Sequence, residues 1–504
     1  MADPPAAAPS EVTALAEERK PTLATRVVRG ALWSVATSIG GRAVGLVATL
    51  TLTRFLAPDV YGEVNTAFIV VATASVLAAP GMGQYLVAQR EADERAAFHA
   101  TFFHVVLGAV AMLAVWLAAD WLGPLLKVPN LGLYVPALAA ATFVERISYM
   151  PGRVLAREMR FKVIGLRMLL GELVYAGVGI YLAWRGFGGY AVLWAIVART
   201  ALTAVLLIAS VEWRKWLSPS RLDLELTKRL FRFGLPLSLS NDLHWVARRG
   251  DNLLIVALFG AGPVGQYNLA YNLADIPATH VGEQIGDVML PSFARISDHA
   301  ARERAMVRAA GLLALLVFPL AIGLGAIAHD LVRAIFDARW APVAPMLVVL
   351  SALSILRPIG WLVGNYLQAL ARTRTVLALE GVRAASVAGF VLGLGQLGVL
   401  WACAGIGCAF GVATFAGLWS LHKADQLPLT ALLRPLVRPL LACIPMAIAV
   451  LGVRHALDLS AWLAVLLQLV AGAVAYVGGA LLIASDQARD MLGLLRRAFH
   501  RPSP

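Results

Sequence analysis

Among the ionisable side chains of Phe231–Asp287, six stand out, because most of this stretch is apolar enough to enter a lipid bilayer. Ionisable groups at membrane depth are costly, and they usually face a water-filled cavity or a charged partner. Arginine keeps its charge under any plausible burial, and its planar guanidinium matches the geometry of phosphate. The stretch therefore predicts a wet, charged pathway. The six residues are Arg248, Arg249, Asp251, Asp275, Glu283 and Asp287.

The polar residues of this stretch fall on one face of each of two predicted helices. Their spacing of three or four residues is that of a single helical face, and the turn AGPVG (261–265) separates the helices. Two membrane helices with facing polar stripes would line a common pathway; buried ion pairs and residues at helix ends are the alternative. The stripes are Asn241, His244, Arg248 and Asp251, then Asn268, Asn272, Asp275, Thr279, Glu283 and Asp287.

The composition is that of a polytopic membrane protein. The chain of 504 residues is 59% hydrophobic and 14% charged, with a mean hydropathy of +0.74, whereas soluble domains average about 25% charged residues. No long hydrophilic stretch leaves room for a soluble domain. Cys403, Cys408 and Cys443 lie in apolar segments without the spacing of metal ligands, which favours core packing.

Hydrophobic runs of about 20 residues are long enough to span a bilayer, and their number predicts an all-α fold with about 14 transmembrane helices. Residues 1–24 lack the pattern of a signal peptide and predict a disordered cytoplasmic tail. Residues 486–504 predict a basic cytoplasmic tail. The predicted spans are 29–53, 62–89, 97–119, 131–150, 164–184, 188–210, 232–259, 263–291, 308–329, 342–370, 375–395, 398–421, 438–457 and 460–484.

The basic residues are distributed unevenly between the two sides of the predicted bundle. Most of the 43 lysines and arginines fall in the tails and in the loops after even-numbered helices. By the positive-inside rule these loops and both termini are cytoplasmic. The net charge of +13 therefore reflects orientation and contact with lipid headgroups, and we expect membrane lipids rather than nucleic acid as partners.

The basic residues within the predicted spans are all arginines. Arg42 shares a helical stripe with small and polar residues, and Arg357 shares one with Asn365 and Gln368. Other arginines lie beside acids and predict local ion pairs or residues at helix ends, while Arg199 has no obvious partner in its own helix. The eight arginines are Arg42, Arg146, Arg167, Arg199, Arg248, Arg249, Arg357 and Arg383; the predicted local pairs are Glu145–Arg146, Arg167–Glu172 and Glu380–Arg383.

An internal repeat relates the first predicted helices to the central stretch. RFLAPDVYGEVNTAF, from Arg54, aligns with LFGAGPVGQYNLAY, from Leu258, at an offset of 203 residues. Repeated halves around a central site are a common transporter plan. We therefore expect a six-helix lobe over 25–215, a second over 216–425, and two additional helices over 426–485. The matched residues are Gly62, Asn65 and Ala67 with Gly265, Asn268 and Ala270.

The string RRGDNLLIVALFGAGPVGQYNLAYNLADIP, with LTRFLAPDVYGEVNTAFIV, GMGQYLVAQR and PGRVLAREMRFKVI, resembles the bacterial polysaccharide-transport flippases. These belong to the multidrug/oligosaccharidyl-lipid/polysaccharide flippase superfamily. The resemblance implies 12 to 14 helices, with two six-helix lobes around a central cavity. It also implies an inner-membrane protein that moves undecaprenyl-diphosphate-linked oligosaccharide to the outer leaflet for O-antigen, capsule or exopolysaccharide assembly. Polysaccharide polymerase or assembly proteins would be partners.

The resemblance gives the polar residues roles. Arginines lining a closed cavity would replace water around the diphosphate, whose uncompensated charges would otherwise oppose the crossing. Acids would pair with the arginines in the empty site or bind a coupling cation or proton, and no cofactor is expected. Predicted substrate-binding residues are Arg42, Arg248, Arg249, Asn268, Asn272, Arg357, Asn365 and Gln368; the predicted acids are Asp251, Asp275 and Glu283.

Three alternatives remain at this point. A peptidoglycan lipid-precursor flippase would differ only in cargo. A multidrug or cation antiporter of the same superfamily would favour acids and aromatic residues over the arginines found here. An enzyme of the same pathway, such as a polymerase or ligase, would need larger outer loops, and the sequence holds no Gly-rich phosphate loop or metal-ligand cluster. We therefore expect a transporter rather than an enzyme.

Overall fold

The computed structural model describes residues 23–88, 93–282, 289–290, 292–456 and 460–499, and within these ranges the regular structure is helical. Short π-helical and 3₁₀ turns interrupt or join several helices. The α-helices are α1 Leu23–Phe55, α2 Pro58–Leu77, α3 Met82–Ala88, α4 Glu94–Leu125, α5 Leu131–Arg157, α6 Phe161–Trp184, α7 Gly189–Ala209, α8 Arg214–Leu217, α9 Leu224–Phe259, α10 Ala261–Pro277, α11 His299–Ile335, α12 Val343–Leu353, α13 Arg357–Ala369, α14 Thr373–Leu394, α15 Val399–Asp425, α16 Leu429–Ala456, α17 Ala461–Ile483 and α18 Ser485–Phe499.

The all-α, polytopic membrane fold is confirmed. Each predicted span coincides with one of these helices or with a broken pair of them, and in the described part of the chain ten helical segments are long and apolar enough to cross a membrane. The predicted spans outside that set correspond to α1, α5, α9 and α10. These are the shorter or more polar helices, as expected where part of a helix faces other protein or water instead of lipid. The count of fourteen spans stays a prediction.

Three predicted spans are not single α-helices. The span 62–89 is divided between α2 and α3 at Pro80–Gly81, because proline cannot donate to the helical ladder and Gly81 adopts a positive φ of 67°. The span 342–370 is interrupted by a 3₁₀ turn just before Pro358. The span 263–291 leaves the α-helical form after Pro277 and continues as a π-helical turn over Ala278–Gly282.

The helices pack in two groups. In the first, α1 packs on α6, and α5 packs on α4 and α7; in the second, α9 packs on α14, and α15 packs on α12, α13 and α14. Helices α16 and α17 pack on each other and on α11, outside both groups. We call the group α1–α7 the first lobe and the group α9–α15 the second lobe. The boundaries of the lobes in the sequence stay a prediction.

The two lobes touch at equivalent positions of the predicted repeat. Helix α2 crosses α10 so closely that a β-carbon on Gly62 would overlap the carbonyl oxygen of Ala261, and one on Gly265 would overlap that of Pro58. The offset of 203 residues converts one contact into the other, because Gly62 corresponds to Gly265 and Pro58 corresponds to Ala261. The glycines of the repeat therefore mark a symmetric contact between backbones, which only a residue without a side chain permits.

Further contacts join the lobes along α2. Close to the glycine crossing, Arg54 Nε donates to the Ile335 carbonyl at 2.9 Å, and Lys127 Nζ donates to the Leu258 carbonyl at 2.7 Å. Past the other end of α2, the hydroxyl of Ser238 donates to the Ala79 carbonyl, and Gly81 and Gly234 approach backbone to backbone. The first lobe therefore contacts the second at both ends of α2.

Substituting either glycine of the symmetric crossing should force the lobes apart. We expect Gly62→Ala and Gly265→Ala each to lower the unfolding free energy by about 1–3 kcal/mol, the usual cost of overpacking, and to reduce transport. The measurement is the thermal unfolding midpoint of purified protein in nanodiscs. Gly262→Ala is the matched control, because a β-carbon there meets nothing within 4 Å. Equal midpoints for all three variants would contradict the crossing.

Candidate functional site

Three cavities lie at and beside the boundary of the lobes. The interlobe cavity measures about 390 Å³, the first-lobe cavity about 310 Å³ and the second-lobe cavity about 360 Å³. The interlobe cavity is lined by Gly41, Arg42, Gly45, Leu46, Thr49, Met168, Glu172, Arg249, Leu269, Asn272, Leu273, Asp275, Ile276 and Thr279. The first-lobe cavity is lined by Gly45, Thr49, Tyr61, Val64, Asn65, Phe68, Glu172, Tyr175, Val192, Ile196, Arg199 and Asn272. The second-lobe cavity is lined by Ser240, Asn241, His244, Arg248, Arg357, Gly360, Trp361, Gly364, Asn365, Gln368, Val376, Leu379, Glu380, Arg383, Phe410, Ala413, Thr414 and Gly417.

The interlobe cavity brings together four of the predicted site residues. Helix α1 contributes Arg42, α9 contributes Arg249, and α10 contributes Asn272 and Asp275. Among the described residues no carboxylate forms an ion pair with Arg249, so its guanidinium is available to an anion in the cavity. The predicted polar face of α10 is realised here, because Asn272, Asp275 and Thr279 all line this space.

The carboxylate of Asp275 is shared by two arginines of the second lobe. It accepts a hydrogen bond from Nη1 of Arg357, and Nη2 of Arg248 lies 3.9 Å from its Oδ2. The side chains of Arg357 and Asp275 are only 7% and 15% exposed. The guanidinium of Arg357 also lies 5.1 Å from the ring of Tyr271 and 4.7 Å from that of Phe410. A buried guanidinium thus keeps an anionic partner and aromatic neighbours.

The second-lobe cavity contains the polar stripe predicted around Arg357. Asn365 and Gln368 line it together with Trp361, which lies 6.0 Å from the guanidinium of Arg248. The predicted local pair of Glu380 and Arg383 is confirmed and lines the same space. Asp275 lines the interlobe cavity while its two arginine partners line this one, so the three-residue ion cluster stands between the cavities.

The structure places two predicted site residues away from the cavities. Asn268 is 1% exposed, and its amide donates to the Val264 carbonyl at 3.0 Å. It lies one helical turn from Gly265, so it faces the crossing with α2. Asp251 is 3% exposed and accepts hydrogen bonds from the hydroxyl of Tyr267 and from Asn252. Glu283 lies outside the described residues.

Two predicted local ion pairs are wrong. Glu172 pairs with Arg199 of the next helix at 3.1 Å rather than with Arg167. Arg146 donates to the carbonyls of Ser75 and Ala78, at the C-terminal end of α2. The last carbonyls of a helix have no partner within it, and a buried guanidinium satisfies them here. The only sequence signal for the Glu172–Arg199 pair was an arginine without a partner in its own helix.

These groups are suited to binding a polar, anionic molecule. The cavities offer guanidinium donors, carboxamides and aromatic faces, which are the groups that hold phosphates and sugar hydroxyls. Within the described ranges no cluster of three or more His, Cys, Asp or Glu residues could hold a metal ion. A coupling cation or proton at Asp251, Asp275 or Glu283 stays a prediction.

Comparisons with known proteins place the chain among polysaccharide biosynthesis proteins. A family model described as "Polysaccharide biosynthesis protein" matches residues 51–345. The lipopolysaccharide biosynthesis protein WzxC of Escherichia coli K12 is 25% identical over 360 residues, 70% of this chain and 71% of that protein. The succinoglycan biosynthesis transport protein ExoT of Rhizobium meliloti 1021 is 24% identical over 437 residues, 85% of this chain and 86% of that protein.

The fold resembles that of a solved flippase. The structure of the Lipid II flippase MurJ in an inward closed conformation superposes with a TM-score of 0.72 at 12% sequence identity. The match covers 90% of this chain and 99% of that one. At this identity the likeness concerns the fold, and it extends over both lobes.

Removing the shared carboxylate should destabilise the second lobe. We expect Asp275→Asn to lower the unfolding free energy by about 3–5 kcal/mol, because it leaves the buried Arg357 without its anionic partner. The measurement is the thermal unfolding midpoint in nanodiscs, compared with wild type. An unchanged midpoint would mean that the pair contributes nothing to stability.

Asp337→Asn is the matched control for that substitution. Asp337 pairs with Arg339 in an exposed turn, and the hydrogen bond from Arg339 lowers the pKa of its carboxyl group. Exposed pairs contribute about 0–1 kcal/mol. The control should therefore shift the midpoint far less than Asp275→Asn does.

Proposed function

The chain belongs to the polysaccharide biosynthesis protein family, and we propose that it is a lipid-linked oligosaccharide flippase. It moves an undecaprenyl-diphosphate-linked oligosaccharide from the cytoplasmic to the periplasmic leaflet of the bacterial inner membrane. The product serves O-antigen, capsule or exopolysaccharide assembly. The protein is a transporter and not an enzyme, and both of its termini are cytoplasmic.

A single observation carries this proposal: a charged cavity lies between two lobes of otherwise apolar helices and holds Arg42 and Arg249. A diphosphate entering hydrocarbon loses its water, and each uncompensated charge then opposes the crossing by several kcal/mol or more. Guanidinium groups replace that water with fixed, charge-assisted donors. The names of the relatives ExoT, a transport protein, and WzxC, a lipopolysaccharide biosynthesis protein, agree with such a cargo.

Asp275 acts as the internal anion of the empty site. Its carboxylate occupies Arg357 and lies close to Arg248, and an incoming diphosphate competes for the same guanidinium groups. Helix α10 ends at Pro277 and the π-helical turn follows it directly, and π-helical turns occur often at functional sites. Release of Asp275 therefore frees a helix that contacts both lobes. Asp251, Asp275 and Glu283 are also our candidates for a coupling cation or proton.

The sugars occupy polar space beyond the diphosphate, on the side away from the polyprenyl chain. Asn272 reaches them from the interlobe cavity, and Asn365 and Gln368 reach them from the second-lobe cavity. The polyprenyl chain stays in lipid, at the gap between the lobes. Rocking of the lobes about their contacts along α2 exposes the site first to one side of the membrane and then to the other, as in other transporters built from repeated halves.

The first experiment removes the gene and follows the lipid-linked oligosaccharide by mass spectrometry and leaflet-specific labelling. We expect the intermediate to accumulate on the cytoplasmic leaflet and wild type to clear it. Arg249→Ala and Arg248→Ala should insert normally and clear it at least tenfold more slowly, since each removes a charge-assisted contact with the diphosphate. Arg185→Ala, an exposed arginine beside Tyr181, is the control and should act as wild type.

The outcomes distinguish the competing functions. Accumulation of the peptidoglycan precursor instead of the oligosaccharide would make the protein a precursor flippase. If neither lipid accumulates, a polysaccharide cargo is ruled out and export of drugs or cations becomes the leading function. Clearance at the wild-type rate by both arginine variants would contradict the role given to the charged cavity.

A further inference from the structure

The first-lobe cavity contains polar side chains that the proposed diphosphate contacts do not use. Four helices supply them, and the polar set includes Thr49, Asn65, Glu172, Tyr175 and Arg199. Glu172 and Arg199 form an ion pair in the membrane-spanning part of this lobe. Nothing in the sequence pattern predicted this grouping, because it assembles from separate helices.

The ion pair presents an acceptor and a donor side by side. Arg199 Nη1 lies 3.1 Å from Glu172 Oε1, and the two side chains are 29% and 26% exposed. The guanidinium of Arg199 also lies 5.1 Å from the ring of Tyr175, which restrains it. The formal charges cancel, so the pair suits a neutral molecule. A hydroxyl group both donates and accepts, and adjacent hydroxyls of a sugar match a carboxylate beside a guanidinium.

A buried donor without a partner belongs to a residue that lines the same cavity. The amide nitrogen of Asn65 is buried and has no hydrogen-bond partner among the described residues. Such groups are rare in native proteins and usually indicate a missing ligand or water. The hydroxyl of Thr49 donates to the Gly45 carbonyl at 2.9 Å, which leaves its oxygen free to accept.

The cavity adjoins the candidate diphosphate site. Gly45, Thr49, Glu172 and Asn272 line both the first-lobe and the interlobe cavity. A β-carbon at Gly45 would lie 2.9 Å from Glu172 Oε2, so this glycine leaves room for the carboxylate. A group joined to a diphosphate at Arg42 and Arg249 would therefore enter the first-lobe cavity directly.

We propose that the first-lobe cavity binds the sugar ring attached to the diphosphate, an uncharged hexose or N-acetylhexosamine. Glu172 accepts from its hydroxyls, and Arg199 and Asn65 donate to its oxygens. The volume of about 310 Å³ is at the small end for ligand pockets, which suits one ring. The second-lobe cavity holds three arginines and one glutamate, so it matches a neutral ring less well. This assignment rests on the proposed flippase function.

The test measures what a single sugar adds to binding. Purified full-length protein in nanodiscs is titrated with undecaprenyl diphosphate, then with undecaprenyl-diphosphate-linked glucose, galactose and N-acetylglucosamine. Wild type should bind at least one sugar-linked lipid about tenfold more tightly than undecaprenyl diphosphate, since a site built for hydroxyls penalises their absence. Glu172→Gln and Asn65→Ala should each remove most of this gain. Asn65 does not line the interlobe cavity, so Asn65→Ala should keep the affinity for undecaprenyl diphosphate within about twofold of wild type.

Two further variants separate this inference from the proposed function. Arg249→Ala should weaken binding of both kinds of lipid and keep their ratio. Glu158→Gln breaks a first-lobe ion pair with Lys215 outside the cavities and should keep the full gain. Size-exclusion profiles and thermal midpoints identify any variant that misfolds. If Glu172→Gln misfolds, the test of the sugar site rests on Asn65→Ala alone.

The failures are distinguishable. If wild type binds none of the lipids, the proposed function fails. If wild type binds undecaprenyl diphosphate but gains nothing from any sugar, the flippase proposal stands and the sugar site is overturned. The sugar site is also overturned if Glu172→Gln and Asn65→Ala retain the gain of wild type.

Discussion

The ion pair between Asp275 and Arg357 holds two charges where neither would be stable alone. It joins α10 to α13, and Arg248 adds α9 to the same cluster. Aromatic rings of Tyr271 and Phe410 cover the buried guanidinium. Because the carboxylate lines one cavity and the arginines line another, the cluster both separates these two spaces and joins the helices around them.

The contact between the lobes has a different physical basis. At the crossing of α2 and α10 the backbones meet at Gly62 and Gly265, without side chains between them. Such a contact depends on shape, and it includes no ion pair that would have to break when the lobes rotate. The charged cluster lies within the second lobe, so a rocking motion would leave its helices together. The ion cluster would thus stabilise the second lobe, whereas the glycine crossing would allow the lobes to move relative to each other.

Charge is divided unevenly among the three cavities. The first-lobe cavity holds one balanced pair, Glu172 and Arg199, whereas the interlobe cavity offers Arg249 without a carboxylate partner among the described residues. A molecule with a diphosphate at one point and hydroxyl groups beyond it matches this division. The proposed cargo has that chemistry, and its polyprenyl chain would remain in lipid outside the polar space.

The sequence by itself determined the fold class, the approximate helices and several of the polar residues that line the cavities, because hydrophobicity and helical periodicity are local properties. The interlobe cavity contains four of the predicted residues, Arg42, Arg249, Asn272 and Asp275. The second-lobe cavity contains Arg357, Asn365 and Gln368. Even the glycines of the weak repeat marked a real contact. A polar face on an otherwise apolar membrane helix is costly against lipid, so it faces other protein or water.

Only the tertiary structure decided which partner each charge takes. Glu172 pairs with Arg199 on another helix and not with Arg167. Arg146 donates hydrogen bonds to the carbonyl groups at the end of α2. Asn268 belongs to the predicted polar stripe, but it faces the crossing of α2 and α10. Partner choice depends on the distance and angle between helices, and the period of a single helix contains neither quantity.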